Sequence, residues 1–336
     1  MNESPMVLCC GEALIDMLPR QMPDAGQAYL PFVGGAVCNT AIGLARLGVR
    51  TGLLTGLSND LFGRQLADAL TIDGVDLGHA VRSTRPSTLA FVSLRDGQAE
   101  YAFFDEGSAL RALTPEQMPA LGDDVTALFF GGISLATEPC GQAMLSVAER
   151  YGASRFTMVD PNIRPGFIAD ESAYRARLER LLQRSDCIKI SAEDLHWWLG
   201  QGDPIALGAR LLDRGPAIVL VTEGERGATL LTRELTRHLP APRVAVVDTV
   251  GAGDAFNAGW LAGLSSAAAL HTLADGRALP VDALEAALAR AVAAASVTVT
   301  RAGASPPAAA DIDESLVDDL RRTMQSPEQG RRHDAG

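Results

Sequence analysis

The feature that most restricts the fold of this sequence is a regular alternation of short apolar runs and amphipathic segments. Apolar runs at residues 127–130, 155–160, 187–191 and 217–222 have the length of buried strands, and segments with helical spacing of apolar residues separate them. Strands joined through helices pair in parallel, so the pattern predicts an α/β fold with a doubly wound, mostly parallel sheet flanked by helices. With 336 residues, of which 47% are hydrophobic, the chain can bury both faces of such a sheet.

Polar residues follow these predicted strands. The segments are Asp160-Pro161-Asn162-Ile163-Arg164, Ser191-Ala192-Glu193-Asp194 and Thr222-Glu223-Gly224. In open α/β sheets ligands bind outside the carboxyl ends of the strands. The sequence therefore predicts a functional site at this edge of the sheet.

A period-two pattern interrupts the alternation. Residues 87–95 and 98–104 alternate apolar and polar side chains around Asp96-Gly97, which is a strong hairpin signal. Residues 29–33 are predicted to join the same small sheet. An antiparallel sheet inserted into an α/β fold indicates a lid over the site.

The stretch from Val244 to Gly259 combines a glycine-rich turn with a carboxylate. The run 244–247 predicts a buried strand, Gly251-Ala252-Gly253 a sharp turn, and 255–264 a helix. A helix that begins at such a turn presents unpaired N–H groups and the positive end of its dipole, which together bind anions.

Asp254 stands where that anion would bind, and two interpretations are open. It is either the N-cap of the helix or a general base beside a phosphoryl site. Asp248-Thr249 and the helix glycines Gly259 and Gly263 favour the base, because glycine within a helix costs about 1 kcal/mol relative to alanine and something must compensate for that cost.

Composition excludes several classes of protein. The net charge of −12 argues against a nucleic-acid partner, and the five cysteines form no Cys-x-x-Cys motif that would indicate zinc or a disulfide framework. No apolar run is long enough to span a membrane and no signal peptide is recognisable, so a cytoplasmic location is expected. Lys189 is the only lysine, and its isoleucine neighbours exclude a Walker A loop. Phosphate chemistry would have to use backbone donors, arginine and a metal.

Two motifs resemble the signatures of the PfkB (ribokinase-like) carbohydrate kinases. Asp248-Thr249-x-Gly251-Ala252-Gly253-Asp254 is similar to the second signature, and Gly34-Gly35-x-x-x-Asn39 to the first. The resemblance extends from about residue 7 to about residue 304 and is strongest to the fructokinases of the family. It implies a ribokinase-like domain over residues 1–324, lid strands at about 26–34 and 86–106, and a disordered tail at 325–336.

The resemblance also implies a sugar site. On spacing alone, Asp16 fits a surface turn and Asn39 fits a helix cap, but both fall where the family contacts sugar hydroxyls. In the resemblance Asp254 is the general base, and the turn Gly251-Ala252-Gly253 forms the anion hole. The implied sugar-binding residues are Asp16, Gly34, Gly35, Asn39, Phe103, Asp105, Asn162, Arg164 and Asp254.

The family further implies ATP, Mg²⁺ and, in many relatives, K⁺. Ser191 and Asp194 replace the Asn and Glu of the family's Asn-x-x-Glu motif, so either Glu193 or Asp194 would serve Mg²⁺ through water. The nucleotide residues implied are Ser191, Thr222, Gly224, Gly227, Gly251 and Gly253, and those for K⁺ are Asp248, Val250 and Gly303.

The resemblance implies a neutral sugar as the substrate. Acid-sugar kinases of the family place an arginine where Asp105 stands, and a carboxylate there would repel a sugar acid. We expect transfer of the γ-phosphoryl of ATP to D-fructose, giving fructose 6-phosphate. The alternatives are a 2-keto-3-deoxygluconate kinase, a ribokinase, or a non-catalytic sugar-binding protein on the same fold. The expected partners are sugar and ATP, without nucleic acid or membrane, in a homodimer formed through the lid.

Overall fold

The computed structural model describes residues 5–22, 26–95, 98–266, 270, 272 and 279–325. Its strands are β1 (Met6–Cys10), β2 (Leu14–Met22), β3 (Gly26–Gly34), β4 (Thr51–Leu54), β5 (Gly56–Ser58), β6 (Val81–Ser83), β7 (Leu89–Arg95), β8 (Gln98–Phe104), β9 (Val125–Gly131), β10 (Phe156–Asp160), β11 (Cys187–Ser191), β12 (Ile218–Thr222), β13 (Ala228–Leu231) and β14 (Thr236–Leu239). Its helices are α1 (Ala36–Arg46), α2 (Leu61–Ile72), α3 (Cys140–Tyr151), α4 (Glu171–Leu182), α5 (Ala192–Leu199), α6 (Pro204–Ala209), α7 (Ala252–Ser266), α8 (Val281–Thr298) and α9 (Glu314–Gln325).

The central sheet has eight strands in the order β14-β13-β12-β11-β10-β9-β1-β4. The strands are parallel from β12 to β4. From β1 the chain adds β4 on one side and later β9 on the other, so the winding direction reverses between β1 and β9. This confirms the predicted doubly wound α/β fold and places its topological switch point there.

The sheet is buried on both faces, as the continuous apolar sequences of its parallel strands require. Val7 and Cys9 of β1 join the core that includes residues of α1, α7 and α8, whereas Leu8 and Cys10 join the core that includes residues of α3 and α4. Successive strand residues point to opposite faces, which assigns them to the two cores.

The glycines inside α7 are explained by packing. A Cβ on Gly259 would lie 2.8 Å from Ala291 Cα, and one on Gly263 would lie 2.7 Å from Ala287 Cα, both on α8. The two helices therefore approach more closely than a side chain would allow. The cost of these glycines is offset by helix contact, so they are no separate sign of a phosphate site.

A second sheet of four strands, in the order β3-β2-β7-β8, lies beside the α/β core. β7 and β8 pair antiparallel, as do β2 and β3, and β2 joins the two hairpins through parallel pairing with β7. The predicted turn residues Asp96 and Gly97 lie outside the described residues. We call this sheet, residues 14–34 and 89–104 as far as described, the lid sheet.

One predicted element, the strand at 244–247, was wrong. Val246 and Val247 are 62% and 63% exposed in an irregular segment, so the run 244–247 is no buried strand. β13 begins at Ala228, too soon after the end of β12 at Thr222 for a helical crossover. β13 therefore pairs antiparallel with β12, β14 pairs antiparallel with β13, and β14 is the edge strand.

Two helix boundaries also differ from the prediction. α7 begins at Ala252 instead of residue 255, and α9 ends at Gln325, which was assigned to the tail. Residues 326–336 lie outside the described residues. Among the helices that the structure describes, none combines the length and apolarity needed to cross a bilayer.

Candidate active site

The side chain of Asp254 lies where the first turns of two helices meet beside the switch point. Asp254 is buried in the first turn of α7, and its Oδ2 accepts a hydrogen bond of 2.9 Å from Asn39 Nδ2 of α1. Asp254 is therefore inside the helix and held by a neighbouring helix, which disagrees with the N-cap interpretation.

The backbone before Asp254, residues 251–253, has the features of the predicted anion site, and we call it the anion-binding turn. Gly251 has φ 79°, and a Cβ there would lie 2.9 Å from Ala304 Cα, so this position favours glycine on two counts. The first helical bond of α7 runs from Ala255 N–H to the Gly251 carbonyl. The N–H groups of Gly253 and Asp254 precede it, at the positive end of the helix dipole.

Burial raises the pKa of Asp254 to about 7. The hydrogen bond from Asn39 opposes this rise, the charge of Asp160 adds to it, the charge of Lys189 opposes it, and Glu12 adds a smaller increase. A general base works best when its pKa is close to the operating pH. Asp254 is thus suited to take a proton near neutrality.

Asp16 and Gly34 form one wall of the site. They lie on the paired strands β2 and β3, and a Cβ on Gly34 would approach Asp16 Oδ2 to 2.0 Å. Glycine at this position leaves the space that the carboxylate occupies. Burial, followed by the charge of Asp254, raises the pKa of Asp16 to about 6, so the two carboxylates influence each other. Gly35 follows with φ 101°, which allows α1 to begin directly after β3.

A cavity of about 510 Å³ lies between lid strand β8 and the loop after β10. Phe103, Asp105 and Arg164 line it, and the Phe103 ring packs edge-on against Phe167 with centroids 4.1 Å apart. Asn162 has φ 44°, a left-handed conformation that asparagine tolerates better than most residues. Three of the predicted sugar residues therefore surround one cavity, while Asn162 shapes the loop that carries Arg164.

Asp105 is paired, which the sequence analysis did not anticipate. Its Oδ1 lies 3.1 Å from Arg111 Nη1, and within the described part of the chain its buried Oδ2 has no hydrogen-bond partner. The guanidinium offsets the carboxylate charge, so Asp105 repels a sugar acid less than expected. Oδ2 therefore remains available to accept a hydrogen bond from a hydroxyl group.

A larger cavity of about 1030 Å³ adjoins the first turn of α7. Its size suits a nucleotide. Thr222, Gly224, Gly227 and Gly253, all predicted nucleotide residues, line it together with Phe256, Val292 and Ala295. Val244 and Val246 also line it, which explains why this apolar run stays exposed instead of forming a strand. Ser191 caps α5 by accepting a hydrogen bond of 3.0 Å from Asp194 N.

The two carboxylates expected to serve Mg²⁺ have different environments. Asp194 is buried, and its Oδ1 accepts 3.1 Å from Ile163 N, so it holds the loop after β10. Burial and then the charge of Asp160 raise its pKa to about 6. Glu193 is exposed on the first turn of α5. Among the described residues no group of three or more His, Cys, Asp or Glu could hold a metal. The donors present fit an ion bound mainly through water, as Mg²⁺ commonly is.

Asp248 connects the turns that were assigned to K⁺. Its Oδ1 accepts from Val250 N at 3.0 Å, and its Oδ2 accepts from Gly303 N at 2.9 Å. The three residues therefore come together beside the anion-binding turn.

Three buried polar residues behind the site, Lys189, Asn257 and Glu12, were missed as site residues from the sequence, and they lie near Asp160 or the start of α1. Lys189 Nζ and Asn257 Nδ2 both donate to Asp160 Oδ2, at 2.9 and 2.8 Å. Glu12 accepts from Val37 N and Ser134 N at 3.4 and 3.3 Å, which ties the start of α1 to the turn after β9. Lys189 and Asn257 share a signal, a polar residue within an apolar strand or helix, such as the lysine between two isoleucines, whereas Glu12 lies in the loop between β1 and β2.

Comparison with known proteins places this site in a family context. The sequence profile described as "pfkB family carbohydrate kinase" matches residues 4–311. A fructokinase of Rhizobium leguminosarum bv. trifolii is 49% identical over 259 residues, which cover 77% of this chain and 79% of the relative.

Solved structures give the same result at the level of the fold. The fructokinase with bound ATP from Xylella fastidiosa has a TM-score of 0.80 at 28% identity, over 96% of this chain and 99% of the other. The aminoimidazole riboside kinase from Salmonella enterica has a TM-score of 0.77 at 26% identity, over 96% and 99% of the two chains.

Proposed function

The chain belongs to the PfkB family of carbohydrate kinases, and we propose that it transfers the γ-phosphoryl of ATP to the primary hydroxyl of D-fructose, giving fructose 6-phosphate. One observation carries the chemistry. The buried carboxylate of Asp254 follows directly on the first N–H groups of α7, at the edge of the nucleotide-sized cavity. Base and anion site are thus adjacent, as phosphoryl transfer to an alcohol requires.

The reaction follows from this geometry. Asp254 takes the proton of the sugar hydroxyl, and the hydroxyl oxygen forms a bond to the γ-phosphorus. The bond from that phosphorus to the β–γ bridging oxygen breaks, and ADP leaves. The turn Gly251-Ala252-Gly253 directs the N–H groups of Gly253 and Asp254 to the migrating group, whose negative charge they stabilise most where water is excluded. Mg²⁺, held through water by Glu193, would neutralise phosphate charge when bound, while Asp194 supports the loop after β10.

The sugar side of the site is formed by two groups of residues. We assign sugar hydroxyls to Asp16, Asn39 and the backbone at Gly34-Gly35 on one side, and to Asp105 and Arg164 on the other. The neutral Asp105–Arg111 pair suits hydroxyls because it provides an acceptor without net charge. The identity to the Rhizobium leguminosarum bv. trifolii fructokinase favours fructose.

A coupled assay of ADP release tests the acceptor. We expect the highest kcat/KM with fructose among fructose, ribose, 2-keto-3-deoxygluconate and aminoimidazole riboside. A higher kcat/KM for another sugar would show that this sugar, and not fructose, is the preferred acceptor. If none of the four is turned over, the kinase assignment for these acceptors is wrong.

We extend the proposal to ions, assembly and location. Asp248, Val250 and the turn at Gly303 would organise carbonyl ligands for K⁺ beside the anion-binding turn. The lid sheet would cover the sugar and pair two subunits, because Leu30 and Phe32 are 43% and 42% exposed on the strand face that also carries Asp16. The kinase domain spans residues 1–324 in this proposal. Dependence on ATP and the five free, buried thiols fit the cytoplasm.

A further inference from the structure

We propose that Lys189 and Asp160 form a charge-balancing pair beneath the anion-binding turn, in which Asp160 holds α7 on the sheet and Lys189 offsets the negative charge that Asp160 places next to Asp254. The proposal rests on the kinase function above, and it assigns positioning roles to two residues that do not touch the sugar in it. Both belong to the parallel sheet, and Asp254 belongs to the helix that packs on it.

The pair lies directly behind the turn. Lys189 on β11 is 3% exposed, and its Nζ lies 2.9 Å from Oδ2 of Asp160 at the end of the neighbouring strand β10. A Cβ added to Gly253 would lie 3.1 Å from Lys189 Nζ. The ammonium group therefore occupies the space next to the Gly253 backbone, and glycine at 253 leaves room for it.

Asn257 connects the pair to α7. Its Nδ2 donates to the same Asp160 oxygen at 2.8 Å, and it stands one helical turn after Asp254. Asp160 thus receives one bond from the sheet and one from the helix. This arrangement fixes the start of α7, and with it Asp254 and the N–H donors, relative to the strand ends.

The charges around the pair explain why a cation is needed there. Burial alone would lower the pKa of Lys189, but Asp160, Asp194 and Asp254 outweigh it, and the pKa is raised. The ammonium therefore stays charged. The charged and titratable groups that interact with Asp254 in this region are Lys189, Asp160, Glu12 and Asp16, and Asp194 acts on Lys189. Charges that are buried in this way are poorly screened by salt.

A charge role and a purely structural role predict different pH profiles. Asp254 must be unprotonated to act, so kcat/KM falls as pH drops through its pKa. Lys189→Met removes a positive charge and should move this acidic limb to higher pH, by about one unit. Asp160→Asn removes a negative charge and should move it to lower pH. The double variant, which is neutral at both positions, should return the limb close to that of the wild type.

The double variant also serves as the control for misfolding. Lys189→Met alone leaves the buried carboxylate of Asp160 without a cation, whereas the double variant leaves no unpaired charge there. Arg237→Met is the matched control, since it breaks another ion pair whose carboxylate, Glu285, is buried. The control should lower thermal stability without moving the acidic limb. If the two single variants move the limb in the same direction, or neither moves it, the proposal is wrong.

A second readout does not depend on activity. Because Lys189 is the only lysine, protein labelled with [¹³Cε]lysine gives one lysine side-chain signal. We expect that signal to change with pH as Asp254 titrates, near pH 7 for the value given above, and to lose this transition in Asp254→Asn. If the transition persists in Asp254→Asn, Lys189 does not sense Asp254. This result would overturn the inference while leaving the kinase function to be judged by the acceptor assay.

Discussion

Single residues of this site show a conflict between stability and function. Burial is the first cause that raises the pKa of Asp16 and Asp194 to about 6 and that of Asp254 to about 7. Burial therefore makes the ionised form of each carboxylate less stable in the folded protein than in the unfolded chain. The proposed reaction needs Asp254 in its ionised form, so the form that acts as the base is the one that burial destabilises.

A first prediction follows for stability against pH. The folded pKa of Asp254, about 7, lies above its unfolded value of about 3.9, so the folded state holds more protons between these values. Proton binding by Asp254 stabilises the folded state fully below a pH of about 4, and this stabilisation is lost as the pH rises through 7. Asp254→Asn should raise the free energy of unfolding at pH 8 by on the order of a few kcal/mol and weaken its pH dependence. Urea unfolding at pH 5.5 and 8 measures this. An equal or lower stability of the variant at pH 8 would contradict it.

A second prediction concerns Gly34. An alanine there would place its Cβ 2.0 Å from Asp16 Oδ2, so the carboxylate must move away from the site. We expect Gly34→Ala to weaken sugar binding by at least about tenfold, which corresponds to 1.4 kcal/mol, with little change in ATP binding. Gly202→Ala is the control, because its Cβ would meet only Leu207 side-chain atoms at 3.4 Å or more. Calorimetric titration with fructose and with ATP measures the two affinities. An unchanged affinity for fructose would show that Gly34 does not belong to the sugar site.

At the scale of elements, the sequence predicted what local periodicity encodes. The strand patterns and the two-period hairpin appear as β9 to β12 and as β7 with β8. It failed at 244–247, because this apolar run looks like a buried strand but is irregular, and Val244 and Val246 line a cavity. It also missed the contacts of Asp160, since Lys189 and Asn257 are 29 and 97 residues away along the chain, and spacing carries no information on such pairs.

A third prediction belongs to the lid sheet. If it closes over bound sugar, water is excluded and the backbone amides of β7 and β8 become protected. Hydrogen exchange should slow at residues 89–104 more with fructose than with ATP alone. The amides of α9, remote in sequence and outside both cavities, serve as the control region. Equal protection with and without sugar would assign the sheet a structural or subunit-pairing role only.

At the scale of the whole molecule, the fold brings the starts of α1 and α7 together. The winding of the sheet reverses beside β1, and Asn39 of α1 donates to Asp254 in the first turn of α7. The nucleotide-sized cavity reaches the anion-binding turn at Gly253, and the second cavity lies between β8 and the loop after β10. In the proposed reaction the lid sheet covers the sugar, and this sheet leaves Leu30 and Phe32 exposed.

A fourth prediction concerns the assembly. Leu30→Ser combined with Phe32→Ser should convert a dimer to a monomer at micromolar concentration, because these side chains are the proposed contact. Ile72→Ser is the control, since Ile72 is 84% exposed at the end of α2 and belongs to no strand of the lid sheet. Sedimentation equilibrium measures the mass. A wild-type protein that is monomeric, or a double variant that stays dimeric, would contradict pairing through the lid.

The most direct test of the account is the turnover number of Asp254→Asn with fructose and ATP at pH 8. Asparagine keeps the shape of the side chain but accepts no proton, and loss of a general base costs roughly 10²- to 10⁴-fold in rate. We predict a fall in kcat of that size, with the dissociation constant for fructose changed by no more than about threefold, or roughly 0.6 kcal/mol. A variant whose kcat stays within about tenfold of the wild type, a barrier change of only 1.4 kcal/mol, would show that Asp254 is not the base.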